Sequence, residues 1–263
     1  MKVTVCELQP LDPKNPQAFE TQWQALVAHV KAEQSDFVLL PEMPFSPWLS
    51  AAQERDDAQW QDAVQVHLDW HRRLDELGAA SVALTSPVLD DGRAFNEAGL
   101  WRADGKAVEP GHRKVYLPEE GGFWEARWYE RGAGDFDAAD VPGARVGFMI
   151  CTEMWFTRHA RDYGQDGVQL LLSPRATLAP SVDKWIAGGR AAAVVSGAYS
   201  LSSNLSGPAG GELGDWGGAG WIVEPEEGEV LGVTSADAPF LTLDIDLAVA
   251  DQAKSTYPRY VKG

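Results

Sequence analysis

Short apolar runs alternate with amphipathic stretches along almost the whole chain, and this alternation limits the folds that it can form. The runs from Lys2 to Leu8 and at 36–40 have the length and composition of strands. Pro16 stands at a favourable first-turn position for a helix that continues to about Lys31. The remaining pattern predicts strands at 81–86, 95–101, 146–150, 169–172, 199–204, 219–223, 230–233 and 240–245, and helices at 57–77 and 183–198. Helices early in the chain with strands throughout predict a mixed α/β layered fold.

The chain is long enough to form one large domain. Its 263 residues are 44% hydrophobic and 23% charged, so a sizeable core is expected rather than disorder. We see no internal repeat and no interdomain linker, which favours a single domain over 1–263. The short tail at about 254–263 either crosses a subunit interface or frays. Within the helix at 183–198, Gly188 and Gly189 lack side chains and would let a neighbouring element approach closely.

Charge and cysteine content narrow the expected partners and the expected compartment. The net charge of −17 repels phosphate backbones and anionic lipids, so neither nucleic acid nor a membrane is an expected partner. Cys6 and Cys151 are too few for a disulfide framework, and both lie in or beside apolar runs, which suits a reducing compartment. The N-terminal segment lacks the apolar region of a signal peptide, and no run approaches the ~18 apolar residues of a membrane span. These features predict a cytoplasmic protein.

Three chemically reactive side chains each lie at or just past the end of a predicted strand. Glu42 follows the run FVLLP, Lys114 lies in GHRKVYLP, and Cys151 follows GFMI. Because strand ends in open α/β folds hold reacting groups, the three side chains are expected to meet in one pocket. Together they could perform acyl transfer: the carboxylate takes the thiol proton, and the sulfur attacks a carbonyl or nitrile carbon. The ammonium would stabilise the thiolate and the developing oxyanion.

Each of these residues also has an ordinary interpretation. Glu42 could be a loop carboxylate, Lys114 one of 22 mostly solvated basic residues, and Cys151 a small buried hydrophobe. A thiol-redox or binding protein, in which Cys151 is merely oxidisable, is therefore the non-enzyme alternative. The combination of base, cation and thiol favours the enzyme.

The same segments resemble those of the nitrilase superfamily of carbon–nitrogen hydrolases, whose catalytic set is glutamate, lysine and cysteine. The segments LLPEMPF, HRKVYLP and GFMICTEMWF match the three motifs. The resemblance implies a general base at Glu42, an oxyanion-stabilising lysine at Lys114 and a nucleophile at Cys151. The segment GFWEARWYERGAGD matches the loop that carries a second glutamate, which implies this role for Glu125, with Glu130 as the alternative.

The resemblance extends from Lys2 to about Ile245 and bears on fold and assembly. It implies an α-β-β-α sandwich of two mixed sheets flanked by helices. It also implies a homodimer that pairs through its helices into a four-layer core, or a higher homo-oligomer. No cofactor and no metal are implied, and the implied partner is a small-molecule substrate.

The residue after Cys151 bears on the substrate. Nitrile-cleaving members of the superfamily usually have tryptophan at this position, whereas this chain has Thr152. The expected substrate is therefore a small amide or N-carbamoyl compound, cleaved through a cysteine thioester with release of ammonia. A small nitrile is the alternative.

Several residues beside the motifs are candidates for the pocket wall. Thr152, Trp124, Trp155 and Phe156 flank the expected catalytic positions, although core packing explains the aromatic residues equally well. Arg175 follows a predicted strand, where it could bind a substrate carboxylate or form a structural salt bridge.

The histidines are expected to be structural. His67 and His71 stand four residues apart on a predicted helix, a spacing that is compatible with metal ligation. No third ligand is nearby and the helix carries many charges, so a solvated face is the expected environment. His112 adjoins Lys114 and is expected to make a structural contact in the loop.

Overall fold

A computed structural model describes residues 1–210 and 213–261. Within these residues the strands are β1 (Lys2–Leu8), β2 (Phe37–Leu39), β3 (Ser81–Asp90), β4 (Arg93–Arg102), β5 (Val108–Arg113), β6 (Ala139–Val141), β7 (Ala144–Phe148), β8 (Leu170–Arg175), β9 (Tyr199–Pro208), β10 (Asp215–Gly217), β11 (Trp221–Val223), β12 (Val230–Val233) and β13 (Phe240–Asp244). The α-helices are α1 (Pro16–Glu33), α2 (Asp57–His71), α3 (Glu125–Trp128), α4 (Thr157–Gln165), α5 (Val182–Ser196) and α6 (Leu247–Ala253). The predicted alternation of strands and helices is confirmed, with shifted ends at several elements.

The strands form two mixed sheets. The first has the order β5-β4-β3-β2-β1-β13, with β1, β2 and β3 parallel and the outer strands antiparallel. The second has the order β6-β7-β8-β9-β11-β12, with β7, β8 and β9 parallel, and β10 also pairs with β9. The sheets join where Glu7 and Leu8 of β1 pair with Asn204 and Leu205 of β9. Parallel strands in both sheets therefore end near this junction.

The alternation of side chains along β1 shows how the layers stack. Val3 and Val5 lie in the apolar cluster between the sheets, which also contains Phe148 of β7. Cys6 and Leu8, on the other face, lie in the cluster formed with α1 and α2. Successive strand residues point to opposite faces, so each inner strand contributes to two layers of core. Helices α4 and α5 cover the outer face of the second sheet. The α-β-β-α sandwich expected from the sequence is confirmed.

The two central glycines of α5 allow this helix to approach its neighbours closely, as expected. A Cβ added at Gly188 would lie 3.0 Å from the ring of Trp155, and one added at Gly189 would lie 2.6 Å from Cε2 of Trp221 in β11. Protein interiors leave no room at such distances. The Gly-Gly pair therefore sets the distance between α5 and the second sheet.

The environment expected for the histidines of α2 was wrong for His67. This side chain is 1% exposed, it forms a hydrogen bond with the carbonyl of Ala63, and it packs against Phe45. Burial lowers the pKa of His67 to about 3, so the ring is neutral. His71 is partly buried and bonds with Ser86. Residues 1–210 and 213–261 contain no group of His, Cys, Asp and Glu side chains that could hold a metal ion.

The tail after α6 folds back onto the body of the protein as far as it is described. Arg259 donates to the carbonyl of Val194 in α5 at 2.9 Å and pairs with Glu226 at 2.6 Å. This part of the tail is therefore anchored rather than frayed. Lys262 and Gly263 lie outside the described residues. None of the described helices is long and apolar enough to cross a membrane.

Replacing Gly189 with alanine should destabilise the fold. Alanine favours helices by ~1 kcal/mol over glycine, but overpacking against Trp221 costs about 1–3 kcal/mol, so we expect a net loss centred at about 1 kcal/mol and reaching about 2 kcal/mol at most. Urea unfolding measures the difference. Gly105→Ala is the control, because an added Cβ there meets no atom within 4 Å. Equal unfolding midpoints for Gly189→Ala and the wild type would contradict the packing argument.

Candidate active site

The site is organised around the ammonium group of Lys114, which directly follows β5. Its side chain is fully buried, with Nζ 2.8 Å from Oε1 of Glu42 and 2.6 Å from Oε2 of Glu125. Burial disfavours the charged amine, but the two carboxylates outweigh burial and raise the pKa of Lys114 above its usual value. The lysine is therefore a fixed cation between two acidic groups.

Glu42 reaches the site from the chain segment just after β2. Its backbone N–H donates to the carbonyl of Arg175 at 3.3 Å, which ties the two sheets together at this rim. The next residue, Met43, has a φ of +44°, and its N–H donates to Oγ1 of Thr85 at 2.9 Å. A positive φ is unfavourable for a residue with a side chain, so the tertiary structure holds this turn against local strain.

Among the described residues, only one oxygen of the Glu42 carboxylate accepts hydrogen bonds. Oε1 accepts from Lys114 Nζ and, at 2.8 Å, from Nδ2 of Asn96. Oε2 is buried and has no hydrogen-bond partner among the described residues. The backbone carbonyl of Asn96 also accepts a hydrogen bond from the backbone N–H of Lys114 at 2.9 Å, so Asn96 aligns both members of the ion pair. Sequence reasoning missed Asn96, although an amide inside the apolar run of β4 was a signal.

Glu125 opens the short helix α3 and completes the charged cluster. The hydroxyl of Tyr129, one turn later, donates to the same oxygen that contacts Lys114, while Oε1 is buried without a partner in the described chain. Burial, together with the charge of Glu42, raises the pKa of Glu125 to about 7, and Lys114 opposes this shift only in part. Glu130, the alternative second glutamate, is 54% exposed and lies 3.8 Å from Arg93. The structure thus brings Glu125, and not Glu130, to Lys114.

Cys151 lies just beyond β7 and begins a single turn of 3₁₀ helix that ends at Trp155. Its φ of +48° is strained for a residue with a side chain, and the thiol is 4% exposed. Burial and the charge of Glu42 raise the pKa of the Cys151 thiol to about 12, and the nearby Lys114 offsets only part of this shift. The resting sulfur is therefore a neutral thiol within electrostatic range of a base and a cation.

A third buried acidic residue, Glu153, braces the segments that carry the lysine and the cysteine. It accepts the N–H of Val115 at 2.7 Å, the N–H of Ile150 at 2.8 Å and Nε2 of His112 at 2.8 Å. Burial disfavours the imidazolium, but the bond and charge of Glu153 outweigh it and raise the pKa of His112. The expected structural contact of His112 is thus a buried hydrogen bond to the Glu153 carboxylate. Sequence reasoning gave Glu153 no role, although it stands only two residues after Cys151.

A cavity of about 260 Å³ leads to Cys151. Glu125 and Thr152 line it with the thiol, and Phe123, Leu178 and Trp185 form apolar walls. A wider outer groove of about 930 Å³ adjoins this inner cavity and also contains Thr152 and Trp185.

The other candidate wall residues differ in position. Trp155 and Phe156 line only the outer groove, where Phe156 stacks on Tyr116 with ring centroids 3.5 Å apart. Their side chains are 41% and 38% exposed. Thr152 is therefore beside the thiol, as expected, and these two aromatic residues lie farther out.

Two of the expected pocket residues lie elsewhere. Trp124 packs in the apolar cluster that contains Trp60 and Trp128, and its neighbour Phe123 lines the cavity instead. Arg175 is fully buried because β8 continues through it, which turns the side chain over the ring of Trp221 at 4.0 Å.

The guanidinium of Arg175 is held by neutral groups. It donates to the hydroxyls of Ser202 and Thr177 and to the carbonyl of Ala219. Within the described chain it forms neither the expected carboxylate-binding site nor the alternative salt bridge. Its role is to fix β8 against β9 and the turn before β11.

Comparison with known proteins places the chain in a family. The carbon–nitrogen hydrolase family model matches residues 2–255. The Omega-amidase NIT2 of Mus musculus is 29% identical over 178 residues, which cover 65% of this chain and 63% of that protein. A citrullinase of Francisella tularensis is 33% identical over 87 residues, which cover 33% of this chain and 30% of that protein. These matches thus span less than two thirds of each relative's length.

Solved structures agree with the fold. A carbon–nitrogen hydrolase from Helicobacter pylori G27 superposes with a TM-score of 0.86 at 18% identity, over 99% of this chain and 94% of that one. A variant of the amidase from Nesterenkonia sp. AN1, with an acetamide moiety covalently added at its active-site cysteine, gives a TM-score of 0.72 at 19% identity, over 96% of this chain and 92% of that one. With a family model that spans nearly the whole sequence, the chain belongs to the carbon–nitrogen hydrolase family.

Proposed function

We propose that this protein is a cysteine-dependent hydrolase that cleaves a non-peptide C–N bond of a small amide or N-carbamoyl compound and releases ammonia. The observation that carries the proposal is the free oxygen of Glu42. Its partner oxygen is held by Lys114 and Asn96, while Oε2 is buried without a hydrogen bond among the described residues. The charge of Glu42 also acts on the Cys151 thiol, whose pKa it raises after the larger effect of burial. An unpaired buried acceptor costs ~1–3 kcal/mol, a cost that is understandable if the oxygen takes up a proton during the reaction.

The first half of the reaction forms a thioester. Glu42 takes the proton of Cys151 as the sulfur attacks the carbonyl carbon, since the high pKa of the thiol excludes a resting thiolate. The carbonyl oxygen becomes an oxyanion, which the ammonium of Lys114 stabilises together with the N–H of Thr152 in the first turn after the nucleophile. The C–N bond then breaks, the nitrogen takes the proton from Glu42, and ammonia leaves.

The second half of the reaction releases the acid. Glu42 takes a proton from a water molecule, whose oxygen attacks the thioester carbon through a second oxyanion at the same position. The C–S bond breaks, and the sulfur of Cys151 regains its proton from Glu42. The covalent acetamide adduct on the active-site cysteine of the related amidase supports a nucleophilic role for this thiol.

Glu125 acts on the substrate amide in this proposal. Its Oε2 is fixed by Lys114 and Tyr129, whereas its Oε1 has no hydrogen-bond partner among the described residues. Glu125 also lines the cavity together with Cys151. With a pKa of about 7, the carboxyl group exists in both protonation states near neutral pH. It can therefore accept a hydrogen bond from the substrate NH₂ group or orient the attacking water.

We also propose a homodimer in the reducing cytoplasm. Trp155 and Phe156 expose apolar rings beside the start of α4, which supports pairing through this helical layer. Both thiols, Cys6 and Cys151, are free and buried, which supports a reducing compartment.

Gel filtration with light scattering should show a particle of twice the chain mass of 28.6 kDa. Apolar rings exposed on one face are the kind of surface that a second copy would bury. A mass of 28.6 kDa at all concentrations tested would contradict the dimer.

The purified protein should release ammonia from a small amide or carbamoyl compound, and not from the nitrile with the same carbon skeleton. Cys151→Ala should lower this activity at least ~10³-fold while the fold is retained, because the nucleophile is lost. Ammonia release and circular dichroism measure the two effects. Activity on the nitrile alone would overturn the proposed substrate class.

Cys6→Ala is the matched control. The Cys6 thiol is fully buried and its pKa is also raised to about 12 by burial, but it lies in β1 outside the cavity. This variant should keep the activity, and mass spectrometry should find an acyl adduct on Cys151 and none on Cys6. Full activity in Cys151→Ala would contradict the nucleophilic role of this thiol, and absence of ammonia release by the wild type would support the thiol-redox or binding alternative.

Glu125→Gln should remove a pH dependence of stability between about pH 4.5 and 7. The folded protein holds the Glu125 proton up to a pKa of about 7, compared with 4.5 for the ordinary group. The folded state therefore binds more protons in this window, and its stability falls as pH rises. The Glu125 carboxyl group changes the free energy of unfolding by at most about 1.4 kcal/mol per pH unit. Urea unfolding at several pH values across the window measures this slope.

Glu130→Gln is the control for this measurement, because Glu130 is exposed and lies away from Lys114. It should keep the wild-type slope. If Glu125→Gln keeps the same slope as well, the buried carboxyl does not hold its proton as proposed.

A further inference from the structure

Two opposite charges stand where the inner cavity meets the outer groove. Glu120 and Lys184 line both spaces, whereas Cys151 and Glu125 line only the inner cavity. The reacting end of a substrate therefore points inward, and the two charges face its other end. Lys184 lies in the first turn of α5, and Glu120 lies in the long segment between β5 and α3.

Neither charge is neutralised by a neighbour in the described part of the chain. Glu120 and Lys184 form no ion pair within 4.0 Å, either with each other or with another side chain of residues 1–210 and 213–261. The adjacent Glu119, in contrast, pairs with Arg127 at 2.9 Å. Both groups are exposed and free to turn toward a bound molecule.

The walls between these charges and the thiol are uncharged except for Glu125. Phe123, Leu178, Pro180 and Trp185 supply apolar surface along the inner cavity. A volume of about 260 Å³ is below the ~300–1,000 Å³ usual for drug-sized ligands, so the cavity suits a short aliphatic acyl chain. Such a chain would place its outer end at Glu120 and Lys184.

We propose that the substrate is an α-amino acid whose side chain ends in a carboxamide or ureido group. Its carboxylate binds Lys184, its ammonium binds Glu120, and its terminal carbonyl lies at Cys151. A neutral amide leaves both protein charges unmatched. A head group with one charge gains one contact and is repelled by the other residue, so the zwitterion is the best match. This inference rests on the proposed hydrolase function and names its substrate class.

A set of four amides with the same reacting end tests the head group. Glutamine carries both charges, glutaramate carries the carboxylate, 4-aminobutanamide carries the ammonium, and butanamide carries neither. Because both residues are exposed, each ion pair contributes up to ~1 kcal/mol, so kcat/KM for glutamine should exceed that for each singly charged amide severalfold, by up to about fivefold per contact. Ammonia release from all four is the measurement.

Variants that each remove one protein charge show which residue contacts which charged group of the substrate. Lys184→Met should remove the advantage of glutamine over 4-aminobutanamide, and Glu120→Gln should remove its advantage over glutaramate. In each variant the ratio of kcat/KM for glutamine to kcat/KM for butanamide should fall severalfold, because butanamide carries neither charge and reports only the uncharged contacts. Lys14→Met and Glu33→Gln, which remove exposed charges outside the cavity and the groove, should leave all four values unchanged.

The results separate this inference from the proposed function. Equal kcat/KM for butanamide and glutamine, or a preference for one singly charged amide that neither variant alters, would overturn the zwitterion and leave the hydrolase in place. Absence of ammonia from every amide, carbamoyl compound and nitrile tested would overturn the hydrolase itself.

Discussion

The buried ammonium of Lys114 is the interaction on which the arrangement of the site depends. A charge removed from water costs several kcal/mol, and only close partners with further hydrogen bonds offset that cost. Glu42 and Glu125 supply the partners, and Asn96 and Tyr129 supply the further bonds. The end of β2, the end of β5 and the start of α3 are thereby held at one point. Loss of Lys114 would leave two buried acidic groups without their shared cation, so the charge that stabilises the fold at this point is the same charge that acts on the Cys151 thiol.

Two buried glutamates in the same region show how hydrogen bonding separates a reactive group from a brace. Both oxygens of Glu153 are occupied, by two backbone N–H groups and by His112, so this carboxylate has no free acceptor for a substrate proton. It holds the backbone next to Lys114 and next to Cys151. Glu42 has one oxygen in contact with the cation and one oxygen free within the described residues. A buried glutamate can therefore be a structural brace or a proton acceptor, and the number of hydrogen bonds that its oxygens accept decides between the two roles.

The sequence was sufficient for the layered fold and for the residues that meet at Lys114, because strand ends and short motifs are local signals. It was insufficient for partners that only tertiary structure brings together, such as Asn96 from β4. Arg175 was misjudged because β8 runs three residues beyond its predicted end, which turns the side chain into the core instead of toward the rim. His67 was misjudged although its helical spacing from Trp60 and Trp70 places it on the buried face. The many charged residues of α2 suggested that His67 is exposed, but its helical spacing from the two tryptophans was the better indicator of burial.

The two cysteines show that acidity does not explain why one thiol is reactive in our proposal. Burial raises the pKa of both Cys6 and Cys151 to about 12, so neither is a thiolate at rest, and Lys114 does not create one as the sequence suggested. What differs is placement: Cys151 has a strained backbone, opens onto a cavity and lies near a carboxylate with a free oxygen. Proton transfer then accompanies attack on the substrate, and the ammonium has its main effect on the oxyanion that forms. A thiol that stays protonated until a carbonyl carbon is present is also protected from oxidation, since the thiolate is the form that oxidants attack.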